Sequence, residues 1–211
     1  IRDLKLSSWA TITLLYGEQV YEINYEGNVL WKGPNNGVIS GDTTEYYHNE
    51  FTRLHNGHYM ALGREYAEVL SEMPGPPLVK QQVGNHPGYG IKIKLPFGTL
   101  IEYDKQGKVI WSWKSSSYFK ASDLYFRKMK GNLAGIDVHD NGFFFNEKAG
   151  TIYVSFKHIS TILKIKYPEA EVISSYGNIN RKVIPEMGVN FNGQRNWKST
   201  SEGNLVFLNN N

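Results

Sequence analysis

Apolar and polar residues alternate along most of the chain, with the two-residue period of strands that are buried on one face. The alternating segments are rich in tyrosine, isoleucine, valine and phenylalanine, which suit a pleated, half-buried surface. No segment shows the 3.6-residue period of an amphipathic helix. The pattern therefore predicts an all-β protein. The clearest predicted strands are 10–17, 19–25, 58–63, 89–95, 151–156, 161–167 and 204–209.

Turn sequences separate these strands, and each contains a glycine. Glycine adopts the positive φ angles that tight turns between antiparallel strands require. The turn sequences are Asn56-Gly57, Gln106-Gly107, Ala149-Gly150 and Glu202-Gly203.

A ten-residue pattern recurs along the chain. Residues 22–31, EINYEGNVLW, and 102–111, EYDKQGKVIW, share a glutamate, a turn glycine, a valine and a tryptophan at the same offsets. Residues 164–174 form a degenerate third copy with one residue inserted. Trp31 and Trp111 occupy equivalent positions in the outer strand, where we expect them to pack between neighbouring units.

A second pattern accompanies each copy of the first. It consists of a strand start, a turn with glycine and an apolar strand, and it covers residues 48–62, 139–156 and 195–209. Taken together, the two patterns form a four-stranded unit. Such units joined end to end are typical of a β-propeller. The alternative is a β-sandwich in which the similarity arises by chance.

The order of the strands predicts how much of a propeller is present. We expect one propeller domain over 1–211 with two full and two partial blades, because the chain opens and closes in the second strand of a blade. Two long stretches fall outside the pattern, at about 71–90 and 114–135. Stretches of this length are often lids or partner contacts, and the alternative is a plain surface insertion.

The first residue of the second pattern is His48, His139 or Arg195 in its three copies. In a propeller the first strand of each blade lies innermost, so these side chains are predicted to form a ring around one central channel. Trp197 follows Arg195 by two residues and lies on the same face of a regular strand. It either lines the channel or packs in the core.

Composition excludes several kinds of function. The net charge is +3 and no run of basic residues occurs, so a nucleic-acid surface is not expected. No apolar stretch reaches the length of a membrane span. The absence of cysteine excludes disulfides and thiol catalysis. The histidines lack the spacing of metal ligands, so no metal or cofactor is predicted. Because the chain begins at Ile1 without a leader, we expect a removed signal or a fragment of a larger protein.

From about residue 20 to the end, the chain resembles the bacterial arylsulfotransferases. Their pattern Asp-Trp-x-His-x-Asn, followed by a strand ending in Ser-x-Arg-His-x-Ser and a Lys-Ile strand, is similar to 135–165. Stretches around His48 and Arg195 are similar to two further histidine-containing stretches of that family. The matching residues of the main pattern are Asp137, His139, Asn141, Ser155, His158, Ser160, Lys164 and Ile165.

The resemblance implies a six-bladed propeller in the periplasm or on the cell surface. It implies transfer of a sulfuryl group from an aryl sulfate to a phenol through a channel histidine. His48, His139 and Arg195 then stand at catalytic positions. The alternative for Arg195 is a structural arginine that pairs with a neighbouring acid and holds blades together. The resemblance places Lys157 at an oxyanion-binding position, and His158 and Asn141 also match the family pattern. We expect these three residues to bind substrate, together with Trp197 if it lines the channel; the alternative for His158 is a structural role.

Two positions depart from the family pattern. Arg195 stands where the family has its accepting histidine, and Lys157 stands where the family has an arginine. A guanidinium stays protonated and cannot carry a sulfuryl group, but it grips sulfate oxygens well. Two functions follow: a sulfuryl-transfer enzyme with an altered channel, or a non-catalytic propeller. The latter would bind a small anion, or serve as a scaffold with protein partners in the cell envelope.

Overall fold

The computed structural model describes residues 1–70, 92–120, 123, 125–129, 132–177, 195–200 and 204–208. Within these residues the regular secondary structure is β-strand, apart from one three-residue 3₁₀ turn at Ser115–Ser117. This confirms the predicted all-β class.

Three four-stranded sheets follow one another along the described chain, and in each the strands are antiparallel and ordered as in the sequence. The first contains β1 (Arg2–Leu6), β2 (Ile12–Tyr16), β3 (Gln19–Ile23) and β4 (Val29–Lys32). The second contains β5 (Tyr47–Arg53), β6 (Tyr59–Leu70), β7 (Lys92–Tyr103) and β8 (Val109–Lys114).

Two hairpins frame the third sheet. One pairs β9 (Tyr125–Met129) with β10 (Asn132–Asp137). The third sheet then contains β11 (Asp140–Asn146), β12 (Thr151–Phe156), β13 (Thr161–Lys166) and β14 (Glu171–Gly177). The last hairpin pairs β15 (Arg195–Ser199) with β16 (Leu205–Leu208). Successive four-stranded antiparallel sheets of this kind are the blades predicted from the repeat.

The number of full blades differs from the prediction. The described residues contain three four-stranded sheets, not two, because Arg2–Leu6 forms a strand ahead of the first predicted one. Its apolar side chains, Leu4 and Leu6, are exposed, whereas Lys5 points inward to Asp3 and to the carboxylate of Glu50. In this strand the apolar side chains face solvent and the charged side chains face the protein, which is the reverse of an ordinary half-buried strand.

The first strands of the sheets lie side by side. β1 contacts β5, β5 contacts β11, and β11 contacts β15. This is the arrangement that the innermost strands of successive blades require. The residues at their starts are thereby brought to one region of the molecule.

Apolar side chains fill the space between neighbouring sheets. Trp31 of the first sheet stacks on Tyr59 of the second, with ring centroids 3.9 Å apart and an interplanar angle of 13°. Trp111 of the second sheet donates its indole N–H to the carbonyl oxygen of Pro168, which follows the third sheet's β13, at 2.8 Å. Both tryptophans therefore pack between blades, as predicted from the repeat.

The repeated glutamates are buried and bond to side chains across sheet boundaries. Glu22 accepts hydrogen bonds from Arg53 Nη1 at 2.6 Å and from the Tyr59 hydroxyl at 2.5 Å, both in the second sheet. Glu102 accepts a hydrogen bond from the Tyr167 hydroxyl at 2.7 Å, just after β13 of the third sheet. The repeated sequence therefore specifies both a turn and a glutamate that forms hydrogen bonds to the next blade.

The two predicted insertions differ in how far they are described. The stretch 71–90 lies outside the described residues, and the strands that flank it form a long ribbon. β6 and β7 pair from Tyr59↔Tyr103 as far as Leu70↔Lys92. The stretch 114–135 contains the Ser115–Ser117 turn, β9 and the start of β10.

Candidate active site

A cavity of about 140 Å³ lies where the first strands meet the ribbon. His48 and His139, two of the three predicted channel residues, both line it. His48 is the second residue of β5, and His139 immediately precedes β11. The other lining residues are Arg2, Asn49, Arg64, Pro96, Phe97, Gly98, Val138 and Asp140.

One ring nitrogen of His48 is hydrogen-bonded, and the other faces a carboxylate. The Asn49 amide nitrogen donates to Nδ1 at 3.2 Å, which places the ring proton of the neutral imidazole on Nε2. Nε2 lies 3.4 Å from Oδ2 of Asp140. Asn49 also donates to the backbone oxygen of Asp140 at 2.7 Å. Its φ of 58° lies in the left-handed region that asparagine tolerates better than most residues.

His139 immediately precedes β11, and it also has a left-handed φ, of 51°. Its backbone oxygen accepts a hydrogen bond from the Lys157 N–H at 2.8 Å. The imidazole of His158 lies against its ring, with centroids 4.5 Å apart and planes 33° apart. Contacts with the turn after β12 therefore fix the position of His139.

Asp140 is a residue of this site that the sequence pattern missed, as are Arg64 and Arg2. Its side chain is 8% exposed, and Oδ2 has no hydrogen-bond partner among the described residues. The carboxylate packs on Gly98, where an added Cβ would overlap it. A glycine inside a strand often marks such a close approach, so Gly98 in β7 was the available sequence signal.

Burial raises the pKa of Asp140, because removing the carboxylate from water disfavours its charged form. The nearby groups that oppose this rise are His48, His139 and Arg64. The site thus holds a carboxyl group that is a stronger base than an exposed aspartate.

Two arginines add positive charge to the cavity. Arg64 stands on β6, where its N–H donates to the Tyr46 carbonyl oxygen at 2.9 Å. Arg2 comes from the first sheet. With neutral imidazoles and an ionised Asp140, these groups leave the cavity with one net positive charge. Such a cavity suits a small anion.

The structure brings together some of the predicted site residues. His48 and His139 share the cavity, and His158 contacts His139. Lys157 and Asn141 are neighbours of the site, but they are not among the residues that line the cavity. The backbones of Arg195 and Trp197 lie on β15, and their side chains are outside what the structure describes.

Within the described part of the chain, no three histidine, aspartate or glutamate side chains are arranged to hold a metal ion. The same residues contain no helix that is long and apolar enough to cross a membrane.

The raised pKa of Asp140 leads to a prediction about stability. Ionisation of this carboxyl costs more in the folded chain than in the unfolded chain, so the cost is absent at low pH and full above the folded-state pKa. An asparagine side chain at this position would carry no such cost. We therefore expect the stability of Asp140→Asn relative to the native protein to increase as pH rises from 4 to 8, measured by urea unfolding.

The matched control for this measurement is Glu26→Gln, which removes an exposed carboxylate. Its stability relative to the native protein should stay nearly constant over the same range. A flat difference for Asp140→Asn would contradict the raised pKa.

The chain is similar to one protein family in sequence and to a solved protein structure. Residues 80–178 match the family model described as arylsulfotransferase (ASST). The match includes β7, β11, His139, Asp140 and His158, and it confirms the resemblance predicted from the sequence. No curated protein sequence matches the chain. The chain is also similar to a crystal structure of a protein of unknown function from Bacteroides caccae. That match has 10% sequence identity and a TM-score of 0.42, and it covers 99% of this chain and 70% of the other.

Proposed function

We propose, from the match of residues 80–178 to the arylsulfotransferase family, that the protein moves a sulfuryl group from an aryl sulfate to a phenol. The observation that carries the proposal is the shared cavity of His48 and His139. These imidazoles come from successive blades and stand beside two arginines. The family resemblance further supports a location in the periplasm or on the cell surface.

His139 is the proposed acceptor of the sulfuryl group. Nδ1 of His48 accepts a hydrogen bond from the Asn49 amide, so Nε2 carries the ring proton and neither nitrogen offers a lone pair to sulfur. His48 is therefore better suited to position other groups. A lone pair on the His139 imidazole attacks sulfur, and the bond from sulfur to the aryl oxygen breaks. The phenolate leaves with the bonding electrons, and a sulfuryl–imidazole adduct remains.

The acceptor phenol completes the reaction in a second step. Its oxygen attacks the sulfur of the adduct while the nitrogen–sulfur electron pair returns to His139. The phenol proton passes to a base in the site. The protein is regenerated and a new aryl sulfate is released.

The cations of the cavity hold the sulfuryl oxygens in this proposal. Arg64 and Arg2 line the cavity, and their guanidinium groups match the geometry of sulfate. A dry cavity of about 150 Å³ accommodates a benzene ring. The cavity here, at about 140 Å³, therefore holds a sulfuryl group or a ring but not both. The aryl portion of the donor would project out of it.

Arg195 takes a changed role in this proposal. It occupies the family's accepting position by resemblance, but a guanidinium has no free lone pair for sulfur. We assign it to gripping sulfate oxygens together with Lys157. His158, Asn141 and Trp197 are assigned to substrate positioning around His139.

The test uses 4-nitrophenyl sulfate with the intact protein. We expect a burst of 4-nitrophenolate and an increase in protein mass equal to one SO₃ group. Adding a phenol should then remove the adduct and give steady turnover. Absence of both the burst and the adduct would refute the proposal.

A non-catalytic role is the second candidate, and Arg195 is the feature that favours it. A pocket with arginine at the accepting position binds an anion without forming an adduct. In that case calorimetry would detect binding of 4-nitrophenyl sulfate with no release of 4-nitrophenolate. A scaffold role would instead give a stoichiometric envelope partner on purification and no sulfate-ester binding.

A further inference from the structure

We propose, resting on the sulfuryl transfer proposed above, that Asp140 is the general base that removes the proton from the acceptor hydroxyl. Asp140 and His48 together form the hydroxyl-binding part of the cavity. The ligand class for this part is a neutral hydroxylic acceptor, distinct from the anionic group that the arginines hold.

Two buried polar atoms face each other without a hydrogen bond in this part of the cavity. They are Oδ2 of Asp140 and Nε2 of His48, 3.4 Å apart, and neither has a hydrogen-bond partner among the described residues. Buried polar atoms without partners are costly, so a native site that keeps them is expected to satisfy them with a ligand or water.

A hydroxyl group satisfies both atoms at once. Its hydrogen is donated to the Asp140 carboxylate, and its oxygen accepts the N–H of His48. Because the two atoms are 3.4 Å apart, one oxygen placed at the ordinary hydrogen-bond length of about 2.8 Å would reach both. Both atoms are buried, so the hydroxyl would enter from the cavity with a small shift of the His48 or Asp140 side chain. A sulfate oxygen has no hydrogen and would be repelled by the carboxylate. The pair therefore selects a hydroxyl.

The surroundings of Asp140 suit it to accept a proton. His48 faces it from β5, Arg64 from β6 and His139 from its own segment, while Gly98 of β7 provides only backbone. Burial raises the pKa of Asp140, which brings the carboxylate closer to the basicity that a general base needs near neutral pH.

The proton and electrons balance in the step. The acceptor oxygen forms its bond to sulfur and the nitrogen–sulfur bond to His139 breaks, with the electron pair returning to the imidazole. The hydroxyl proton moves to Oδ2 of Asp140 and later passes to solvent. No oxidant, reductant or metal is required.

The experiment separates the two half-reactions in Asp140→Asn. Asparagine has the same shape but cannot take the proton. We expect release of 4-nitrophenolate in the first turnover to change less than threefold, while transfer from the adduct to phenol slows by about 10² to 10⁴-fold. The native rate of transfer should rise with pH through the Asp140 titration, and this rise should be absent in the variant.

A second variant perturbs the Asp140 carboxylate through a substitution in the neighbouring strand β7. In Gly98→Ala the new Cβ would displace the Asp140 carboxylate, so transfer should again slow selectively. Glu26→Gln is the control for the loss of an exposed carboxylate, and it should leave both half-reactions unchanged. Circular dichroism and unfolding midpoints show whether each variant is folded.

The outcomes distinguish this proposal from the one on which it rests. If the native protein forms no adduct, the sulfuryl-transfer proposal fails, and the role of Asp140 fails with it. If the adduct forms but Asp140→Asn transfers to phenol at the native rate, only the role of Asp140 is refuted. Equal slowing of both half-reactions would also refute it, because it would indicate a general structural role.

Discussion

Replacing His139 by alanine is expected to abolish the sulfuryl–protein adduct and to lower turnover of 4-nitrophenyl sulfate by roughly 10⁴-fold or more. Loss of a covalent nucleophile removes the pathway itself, and losses of this size are typical of such residues. Intact-protein mass spectrometry measures the adduct, and 4-nitrophenolate absorbance measures turnover.

Two further histidine variants serve as controls for this measurement. His55→Ala removes an exposed histidine that pairs with Glu147 at the surface, and it should leave the adduct and turnover unchanged. His48→Ala should still form the adduct, although it should transfer the group to phenol slowly. An adduct that survives in His139→Ala but is lost in His48→Ala would show that His48 is the acceptor instead.

The sequence predicts the blades well because alternation and turns are local features. In β12 the alternating segment 151–156 is also the observed strand. β1 escapes prediction because its buried-side residues are Asp3 and Lys5. Glu50, which pairs with Lys5, is 45 residues away from it in the sequence. A strand whose inward-facing side chains are charged does not show the hydrophobic alternation from which strands are predicted.

The candidate site is predicted in part, for a related reason. The repeat aligns His48 with His139, and both residues line the cavity. The repeat does not mark Asp140, Arg64 or Arg2, because none of them recurs at a matching position in another copy. They line the cavity from β1, the ribbon and β11, which are far apart in the sequence. The left-handed backbone of Asn49 and His139, which turns these segments into the cavity, also leaves no period in the sequence.

The repeated glutamate links the sequence repeat to the contacts between blades. Glu22 is a sequence feature because it recurs as Glu102, and it is a structural feature because its carboxylate crosses to the next blade. In the third copy the position is Lys164, which lies over the Tyr153 ring. The boundary after the third blade therefore lacks this carboxylate. The carboxylate of Glu22 should thus be tested at the first boundary, where all its partners are described.

Glu22→Ala is expected to lower the free energy of unfolding by about 3 to 5 kcal/mol, because it leaves the Arg53 guanidinium nearly buried without its counter-ion. The Arg53 side chain is 14% exposed and that of Glu22 is 1% exposed, so water cannot easily replace the lost partner. The Tyr59 hydroxyl also loses its acceptor. Urea unfolding followed by tryptophan fluorescence measures the change, since Trp31 stacks on Tyr59 at this boundary.

Arg53→Met in the Glu22→Ala background separates the charge from the packing. Removing the unpaired cation should recover part of the lost stability, because a buried ion pair can be replaced by apolar side chains at little cost. Glu171→Ala, at an exposed position of β14, should change stability by less than about 0.5 kcal/mol. If Glu22→Ala is no more damaging than Glu171→Ala, the repeated glutamate does not hold the blades together, and its recurrence must be explained by the turn that follows it.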